Sequence, residues 1–553
     1  MIFPGVDRGL AVEYRANDWW RDSTLVDDLR AQAVARAGDV VLVSHSSEKD
    51  SLTRVTFGEL WDRVNDVAVT LLSLGVKPRE IVSFQLPNCW EFTAIYMACA
   101  RIGAVAHPMQ MIHREHEIEV ALRRVESRVS ITVDQFRGFR YGSAHRALVE
   151  KLPTLEHVLV LRRTGERSGD RVLFEDLAIG AAATSKNLGA LEHLPVRGDD
   201  PEIVKFTSGT TGEPKGVVHS HNTLYASTIT ALDETELTAR DVIISPSPMS
   251  HMTGLLCGVL MPMIGGLRSV LLDIWNPSKF ADILDREAAT FSWGVPAYWI
   301  DLLGLPADDD KLATMRSIIC SGSPIPRSMA RAMEARWNVS FRPNWGMTET
   351  SGVTFVNGGA DRLKRLDTDG RASHGSELKI VDAEGRSLAE GVDGRLLVRG
   401  PSKFLGYLGR PEMTKDAVDQ DGWLDTGDIA NMDAEGYIRI SGRAKDIIIR
   451  GGENIPVTEI EDALHRHPAI AEVAIVGCPD ERLGERAVAI VRLRDGRDPL
   501  TLDDVRVHLA ELGVAKHYWP EMLKMVDVMP RTESGKIQKY VLRAAVTKER
   551  IFG

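Results

Sequence analysis

The chain has 553 residues, of which 44% are hydrophobic, and a formal net charge of −11 at pH 7. A chain of this length and composition can bury a large core, and the usual domain size favours more than one domain. The acidic balance disfavours nucleic acid or an anionic membrane surface as the main partner, because both bind basic patches, so small molecules or proteins remain.

The cysteines and the apolar segments bear on the cellular setting. The five cysteines are odd in number and widely scattered, at Cys89, Cys99, Cys257, Cys320 and Cys478. Their spacing predicts neither a disulfide framework nor a zinc site, and it fits a reducing cytoplasm. The start of the chain lacks the pattern of a secretory signal. The longest apolar stretch, residues 255–267, is shorter than the roughly 20 residues that span a bilayer, so we expect a buried core helix and no integral membrane span.

The first part of the chain alternates helix and strand patterns. The segment "TFGELWDRVNDVAVTLLSLGV" predicts a helix with a Thr56/Glu59 capping box, one apolar face and an end at Gly75. Short β-branched segments predict strands, namely "EIVSFQL", "RVSITVD", "HVLVL", "EIVKF", "DVIIS", "SVLLD" and "SIICS". Strands separated by helices predict parallel sheets covered by helices.

The pattern changes from about Gly375 onward. Strands joined by tight turns, as in "SELKIVDAEGRSLAEGVDGRLLVRG", predict an antiparallel or barrel-like piece. After it, "DAEGYIRISGRAKDIIIRGGENIPVTEIEDALHRHPAIAEVAIVG" predicts a strand, a glycine-rich turn, a helix capped by Thr458 and Glu461, and another strand. This last part is expected to be a compact α/β unit of its own.

One loop has the chemistry of a phosphate cradle. Residues 207–217 read "TSGTTGEPKGV" and follow the predicted strand "EIVKF", at the end of a strand where open α/β sheets bind ligands. The loop is not a Walker motif, because Pro214 precedes Lys215 and Gly216 follows it. Taken alone, its composition fits a solvated turn equally well.

Five further segments occur downstream in a fixed order. They are "SGSPIP" (321–326), "NWGMTET" (344–350), "GWLDTGD" (422–428), "GRAKDIIIRGGENI" (442–455) and "PRTESGKIQK" (530–539). Together with the loop, they resemble the adenylate-forming superfamily of acyl-CoA synthetases, luciferases and peptide-synthetase adenylation domains, from about residue 50 to residue 545. The resemblance implies an α/β fold with a large N-terminal domain (1–442), built of parallel-type sheets covered by helices plus a β-barrel-like subdomain. A small mobile α/β domain (443–553) follows.

The resemblance also implies a site for ATP and Mg²⁺. Attack of a carboxylate on the α-phosphate requires a bent and neutralised triphosphate. The loop would wrap the β- and γ-phosphates with hydroxyl groups, flexible glycines and one cation, from Thr207, Ser208, Gly209, Thr210, Thr211, Gly212 and Lys215. Glu349 matches the Mg²⁺ ligand, and Thr348 matches a phosphate contact.

The remaining nucleotide contacts are implied in the same way. Gly322, Ser323 and Pro324 match the segment against adenine. Asp428 matches the carboxylate that holds both ribose hydroxyls, and Arg443 matches a second ribose or phosphate contact. Asn344, Trp345 and Gly346 are also implied nucleotide contacts. Trp345 stands where most members carry tyrosine. Stacking on adenine is therefore retained, whereas the hydrogen bond from a tyrosine hydroxyl is lost.

The C-terminal motifs match the two half-reactions of the family. Lys536 resembles the lysine that contacts the forming acyl phosphate, so the implied catalytic set is Lys536, Glu349, Thr207 and Lys215. Lys445 matches the hinge on which the small domain rotates between two poses. Gly451 and Gly452 match the glycines beside the pantetheine arm of coenzyme A.

The acyl pocket is implied by a second group of matches: His251, Met252, Trp293, Val295 and Gly322, with Cys257 nearby. Amino-acid-activating relatives carry an aspartate near His251, and "PSPMSHMTGLL" has none, so we expect an apolar medium-chain, branched or alicyclic acid. The predicted function is an ATP-dependent carboxylic acid–CoA ligase that uses ATP, Mg²⁺ and coenzyme A. A carrier-protein or luciferase-like acceptor, a non-catalytic nucleotide-binding protein and a homodimer stay open.

Overall fold

The computed structural model describes residues 3–163, 189, 191–192, 194–207, 214–306, 309–444, 446, 448–450, 453–480, 482–532 and 535–552. One seven-stranded sheet is parallel except for the antiparallel pair at its edge. In spatial order its strands are Ser340–Pro343, Ser317–Cys320, Phe291–Gly294, Val242–Ser245, Arg268–Leu272, Val40–Ser46 and Ser51–Thr56.

A second seven-stranded sheet carries the phosphate-like loop. In spatial order its strands are Gly406–Tyr407, Lys215–Ser220, Pro201–Thr207, Val105–Pro108, Ile81–Gln85, Val129–Val133 and His157–Leu161. The strands on either side of the loop pair in antiparallel fashion, with Thr207 opposite Lys215. The other strands of this sheet, apart from the short one at the first edge, are parallel.

Helices separate and cover the sheets. In the N-terminal part they are Arg8–Ala16, Leu25–Ala35, Phe57–Ser73, Trp90–Ile102, Glu115–Val125, Tyr141–Arg146, His221–Thr235, Pro277–Arg286, Pro296–Leu303, Arg327–Trp337, Arg362–Asp367 and Pro411–Ala417. The helix Phe57–Ser73 begins at the predicted capping box, in which the Thr56 hydroxyl and the Glu59 carboxylate each accept a backbone N–H. Its apolar side is fully buried in the main core.

The apolar stretch near residue 255 is a buried helix, as predicted, and it contains a wider turn. Met252–Leu255 is α-helical, Leu256–Leu260 forms a π turn, and Met261–Gly265 is α-helical again. All residues of the π turn are buried. Within the described part of the chain, no helix is both long and apolar enough to cross a bilayer.

The part after Gly375 begins with a four-stranded antiparallel sheet. Its strands in spatial order are Glu377–Val381, Gly394–Arg399, Leu424–Met432 and Ile438–Arg443. Two short antiparallel strand pairs precede it, Gly346–Met347 with Ser351–Gly352 and Thr354–Phe355 with Arg371–Ala372.

The C-terminal unit is built on a five-stranded sheet with its own core. Its strands are Ile448–Arg450, Glu453–Ile455, Ile470–Asp480, Gly484–Leu493 and Met522–Met525, and its α-helices are Val457–His465, Leu502–Glu511 and Lys539–Phe552. Short 3-10 turns lie at Asp309–Leu312 and Lys516–Tyr518. The predicted α/β class is therefore confirmed, whereas the boundary between residues 442 and 443 stays a prediction.

The predicted Thr458/Glu461 cap of the first C-terminal helix is wrong. The helix begins at Val457 after Pro456, one residue before Thr458. The Thr458 hydroxyl donates to the Ser441 carbonyl at 3.0 Å, and Glu461 accepts the Ile475 backbone N–H at 2.7 Å. Both side chains are therefore used in tertiary contacts, which a local spacing rule does not detect.

Candidate active site

The mouth of the phosphate-like loop is held by two paired strands. Thr207 and Lys215 face each other across the antiparallel pair, so the ends of the loop are fixed by the sheet. The Lys215 ammonium lies 4.7 Å from the centre of the Tyr407 ring, which is cation–π contact distance. Ser208, Gly209, Thr210, Thr211 and Gly212 lie outside the described residues, so their phosphate contacts stay predictions.

Glu349 is buried beside this lysine, with 6% of its surface exposed. The Tyr407 hydroxyl donates to its Oε1 at 3.0 Å, and its backbone carbonyl accepts the Phe404 N–H at 2.7 Å. Burial raises the pKa of Glu349, while the Tyr407 hydroxyl and the charges of Lys215 and Arg443 act in the opposite direction. Tyr407 thus connects Lys215 with Glu349, a role that the sequence interpretation missed.

The turn around residue 346 requires glycine for steric reasons. A Cβ at Gly346 would lie 2.0 Å from the Ser351 carbonyl oxygen. Thr348 is fixed through its backbone, because its carbonyl accepts a hydrogen bond from His219 Nε2 at 2.7 Å. The Asn344 side chain is buried and donates to the Thr354 carbonyl, so this amide supports the turn itself.

Asp428 is buried at the centre of the nucleotide side. Arg443, its partner residue across the hairpin, approaches Oδ1 with Nε at 2.6 Å. The indole N–H of Trp345 donates to Oδ2 at 2.8 Å. Burial raises the pKa of Asp428, and the Arg443 charge and the Trp345 hydrogen bond oppose that shift. The tryptophan therefore has a polar contact that was not expected from its position.

The segment predicted to lie against adenine is shaped by Gly322. This residue has φ of +87°, a conformation that L side chains rarely adopt. A Cβ at Gly322 would lie 3.3 Å from Val295 and 3.4 Å from Cε of Lys536. Ser323 is partly exposed, and Pro324 is exposed. The close approach of Lys536 brings the C-terminal unit directly against this segment.

Lys536 lies on a tight turn of the C-terminal unit. Its backbone N–H donates to the Thr532 hydroxyl at 3.1 Å, and its carbonyl accepts the Thr532 N–H at 2.8 Å. The side chain is exposed to solvent, although many protein atoms lie around it. These surroundings and the Arg443 charge lower the pKa of Lys536 to about 8, against the opposing charges of Asp428 and Glu349.

A second contact holds the C-terminal unit in this arrangement. The Arg327 backbone N–H, at the start of the helix Arg327–Trp337, donates to Asp462 Oδ1 at 2.7 Å. The Arg327 guanidinium donates to Asp369 Oδ1 at 2.6 Å. Lys536 therefore reaches the Gly322 segment from a docked unit rather than from a free tail.

The predicted acyl residues are largely buried. Met252, Val295 and Trp293 are buried in the protein core, and Trp293 donates to the Ser321 hydroxyl at 2.9 Å. His251 directly precedes the buried helix, and its Nε2 is buried. Cys257 is on the π turn. Met252, Trp293 and Cys257 share the main core, whereas Val295 packs in a second core and lies close to Gly322.

Two predictions concern parts outside the described residues, and one concerns a metal. The hinge Lys445 and the glycines Gly451 and Gly452 lie outside that part. Among the residues that the structure does describe, no group of three or more His, Cys, Asp or Glu side chains could hold a metal ion. Glu349 offers one buried carboxylate in the neighbourhood of Lys215.

Comparison with known proteins gives the family. The AMP-binding enzyme family matches residues 29–408, and the AMP-binding enzyme C-terminal domain matches residues 459–536. The chain belongs to the AMP-binding enzyme family. The first match covers more than half of the chain and includes both the loop and Glu349, whereas the second ends on Lys536.

Individual relatives of this family match over nearly the whole chain. A medium-chain fatty-acid–CoA ligase of Escherichia coli is 35% identical over 97% of this chain and 92% of its own length. A mitochondrial medium-chain acyl-CoA ligase of Macaca fascicularis is 34% identical over 89% of this chain and 82% of its own. The ATP-bound structure of MatB from Rhodopseudomonas palustris matches with a TM-score of 0.82 and 27% identity, over 95% of this chain and all of that one.

Proposed function

We propose that the chain is an AMP-forming acyl-CoA synthetase that activates an apolar, medium-chain carboxylic acid. A carboxylate oxygen attacks the α-phosphorus of ATP and pyrophosphate leaves, which gives an acyl-AMP. The thiolate of coenzyme A then attacks the acyl carbon, and AMP leaves. The observation that carries this proposal is the position of Lys536, against Gly322 and within electrostatic reach of Asp428 and Glu349.

Lys536 supplies positive charge during the first step. Its ammonium would hydrogen-bond to the oxygens that become negative as the acyl phosphate forms, which lowers the barrier without a proton transfer. A pKa of about 8 leaves the group mostly protonated at neutral pH, and an anionic ligand would raise that pKa. The second step forms no new phosphate bond, so it needs this charge much less.

Lys215 and Glu349 are proposed to act at the triphosphate. Lys215, at the exit of the loop, offers positive charge to the β- and γ-phosphates. One buried carboxylate beside a phosphate-binding loop fits Mg²⁺, which is commonly bound by one or two carboxylates together with substrate phosphates. When bound, Mg²⁺ would compensate the phosphate charge, and Tyr407 would keep Glu349 Oε1 in place through their hydrogen bond.

Asp428 is proposed to accept hydrogen bonds from the ribose hydroxyls. Its two oxygens have about four acceptor positions, and Arg443 and Trp345 use one on each oxygen. The carboxylate is thus oriented before the nucleotide binds and still has free acceptor positions. The domain boundary at 442/443, the hinge Lys445, the pantetheine contacts of Gly451 and Gly452, and a homodimer stay predictions.

The test is a panel of acids assayed for AMP release with and without coenzyme A. We expect plain medium-chain acids to release AMP and form thioesters only when the coenzyme is present. Acyl-AMP formation without any response to coenzyme A would contradict the proposal. It would favour transfer to a carrier protein or another acceptor, as in other adenylate-forming enzymes.

A further inference from the structure

The helix Arg327–Trp337 is capped by a residue that is distant in the sequence. The helix begins directly after the segment 321–326, and Pro326 at the capping position makes no side-chain hydrogen bond. The first backbone N–H groups of a helix have no partner inside the helix, so a buried helix start needs an acceptor from elsewhere. Asp462 supplies one, because its Oδ1 accepts the Arg327 N–H at 2.7 Å across 135 positions of the chain.

The Asp462 carboxylate is well suited to this contact. Only 9% of Asp462 and 4% of Arg327 is exposed, so water competes little for the hydrogen bond. The second oxygen, Oδ2, accepts a hydrogen bond from the Arg466 guanidinium at 2.8 Å, one turn later on the same helix, which fixes the orientation of the carboxylate. Negative charge is also favourable at a helix start, where the unpaired N–H groups carry partial positive charge.

The N-terminal side of the contact is anchored to the strand that precedes the predicted hinge. The Arg327 guanidinium donates to Asp369 Oδ1 at 2.6 Å, and the other oxygen of Asp369 accepts the Ile440 N–H at 2.8 Å. Ile440 belongs to the strand Ile438–Arg443, which ends two residues before Lys445. The capped helix start is therefore attached to the N-terminal side of that hinge.

On the C-terminal side, the capping residue and the proposed catalytic lysine are attached to the same strand, Ile470–Asp480. Glu461, the neighbour of Asp462 in the helix, accepts a backbone N–H of this strand at 2.7 Å. Arg531, at the start of the turn that carries the lysine, donates from Nε to the Glu472 carboxylate of the strand at 3.1 Å. The two residues that face the N-terminal part therefore belong to one connected body.

Both residues contact one short stretch of the N-terminal part. Lys536 lies at one end of it, with Cε 3.4 Å from the position that a Cβ at Gly322 would take. Asp462 lies at the other end, at Arg327, five residues later. The stretch between them carries the proposed adenine contacts. A rotation of the C-terminal unit that withdraws Lys536 from Gly322 would therefore also break the cap.

We infer that Asp462 is a positioning residue for acyl-AMP formation. It caps the helix Arg327–Trp337 in the pose that presents Lys536 to the reacting phosphate, and the cap is absent from the pose in which this lysine is withdrawn. A contact made in one pose only shifts the equilibrium between the poses by its own free energy. Asp462 thus favours the first half-reaction without touching a substrate. The inference rests on the proposed acyl-CoA synthetase function and on the predicted rotation of the C-terminal unit.

The experiment measures the two half-reactions separately in the parent enzyme and in Asp462→Ala. Pyrophosphate exchange measures the first step, and thioester formation from synthetic acyl-AMP and coenzyme A measures the second. Loss of the cap is expected to lower the first rate by about 3- to 30-fold, which corresponds to the usual contribution of a helix N-cap. The second rate is expected to be unchanged or higher, because the pose without the cap is then more populated. A merely structural role would leave the ratio of the two rates unchanged.

Two further variants separate positioning from stability. Asp462→Asn keeps an oxygen acceptor on a residue that caps helices well, so it should restore most of the first rate. Asp504→Ala changes a cap that lies entirely within the C-terminal unit, where the Asp504 carboxylate accepts the Thr501 N–H at 2.8 Å. This variant should lower the melting temperature without changing the ratio of the two rates.

Equal changes in both half-reactions of Asp462→Ala, or no change in either, would overturn the inference. If that variant does not fold, Asp462→Glu takes its place, because the longer side chain keeps the charge but displaces the carboxylate from the Arg327 N–H. The same decrease in the ratio of the first rate to the second is expected, and an unchanged ratio would again overturn the inference. A parent enzyme without any pyrophosphate exchange would instead contradict the proposed function.

Discussion

The proposed nucleotide side and acyl side of the site differ in whether their buried polar groups have protein partners. On the nucleotide side, Asp428 is held by Trp345 and Arg443, and Glu349 is held by Tyr407. On the proposed acyl side, the buried Nε2 of His251 has no partner among the described residues. A group that is already held keeps its geometry before the ligand arrives, whereas an unpaired buried group gains a partner only on binding.

Pre-oriented groups and unpaired groups contribute to ligand binding in different ways. Pre-oriented carboxylates cost little reorganisation when ATP binds, so they favour turnover of one invariant substrate. Unpaired groups favour one substrate over its analogues, because an analogue without the complementary atom leaves them unpaired. We therefore expect substitutions on the nucleotide side to lower turnover of every acid, and those on the acyl side to change the ranking of acids.

The largest effect is expected for Lys536→Ala. Removal of the ammonium should lower acyl-AMP formation by about 100- to 1,000-fold, because the charge that develops on the acyl phosphate loses its donor. Thioester formation from synthetic acyl-AMP and coenzyme A should keep much of its rate. Pyrophosphate exchange measures the first step, and thioester formation from added acyl-AMP measures the second.

Lys539→Ala is a suitable control for that variant. Lys539 lies three residues further along, and its ammonium pairs with Glu461 at 2.6 Å, away from the nucleotide side. Both half-reactions should stay near the parental rates. If Lys536→Ala slows the second step as much as the first, its assignment to acyl phosphate formation is wrong.

Glu349→Gln should lower turnover by about 10- to 100-fold for every acid and raise the Mg²⁺ concentration needed for half-maximal rate. A neutral amide balances a divalent cation less well than a carboxylate does. Initial rates across a magnesium titration measure both quantities. Glu377→Gln, on an exposed strand position that pairs with Arg399, should behave like the parent. An unchanged titration for Glu349→Gln would remove this residue from the proposed metal site.

The rate of the first step should also depend on pH through Lys536. The protonated form is the active one and its pKa in the free enzyme is about 8, so kcat/KM for acyl-AMP formation should fall above pH 8 and approach a tenfold decrease per pH unit. Lys536→Arg stays charged over this range and should flatten that decrease, even at a lower maximal rate. A decline that is identical in both enzymes would assign the titration to another group.

The smallest effect is expected for Trp345→Phe. The phenyl ring keeps much of the aromatic packing surface but cannot donate to Asp428, so KM for ATP should rise by about 3- to 10-fold while the ranking of acids stays constant. Trp423→Phe, which changes a tryptophan packed against Arg399 elsewhere, serves as the control. A changed preference among acids in Trp345→Phe would contradict the separation of the two sides.

Local patterns in the sequence predicted the local structure well. The capping box at Thr56 and Glu59, the alternating strands and the buried helix near residue 255 all depend on neighbouring residues. The Thr458/Glu461 cap was wrong, because both side chains find tertiary partners. A spacing rule has no information on such partners.

The motif residues were recognised through the family resemblance, whereas the groups that support them were not. Tyr407 contacts Glu349 across 58 positions of the sequence, and His219 contacts Thr348 across 129. Contacts of this kind arise from the packing of sheets, so they become visible only in the folded chain.

The π turn Leu256–Leu260 affects the orientation of the side chains that precede it in the chain. A π turn holds one residue more than an α turn, so it is equivalent to a single-residue insertion in an ordinary helix. Deletion of one residue there would restore regular α-helical pairing. It would also turn His251 and Met252 by about 100° relative to Met261–Gly265. Deletion of a single codon would therefore reorient His251 and Met252 together, without any amino-acid replacement.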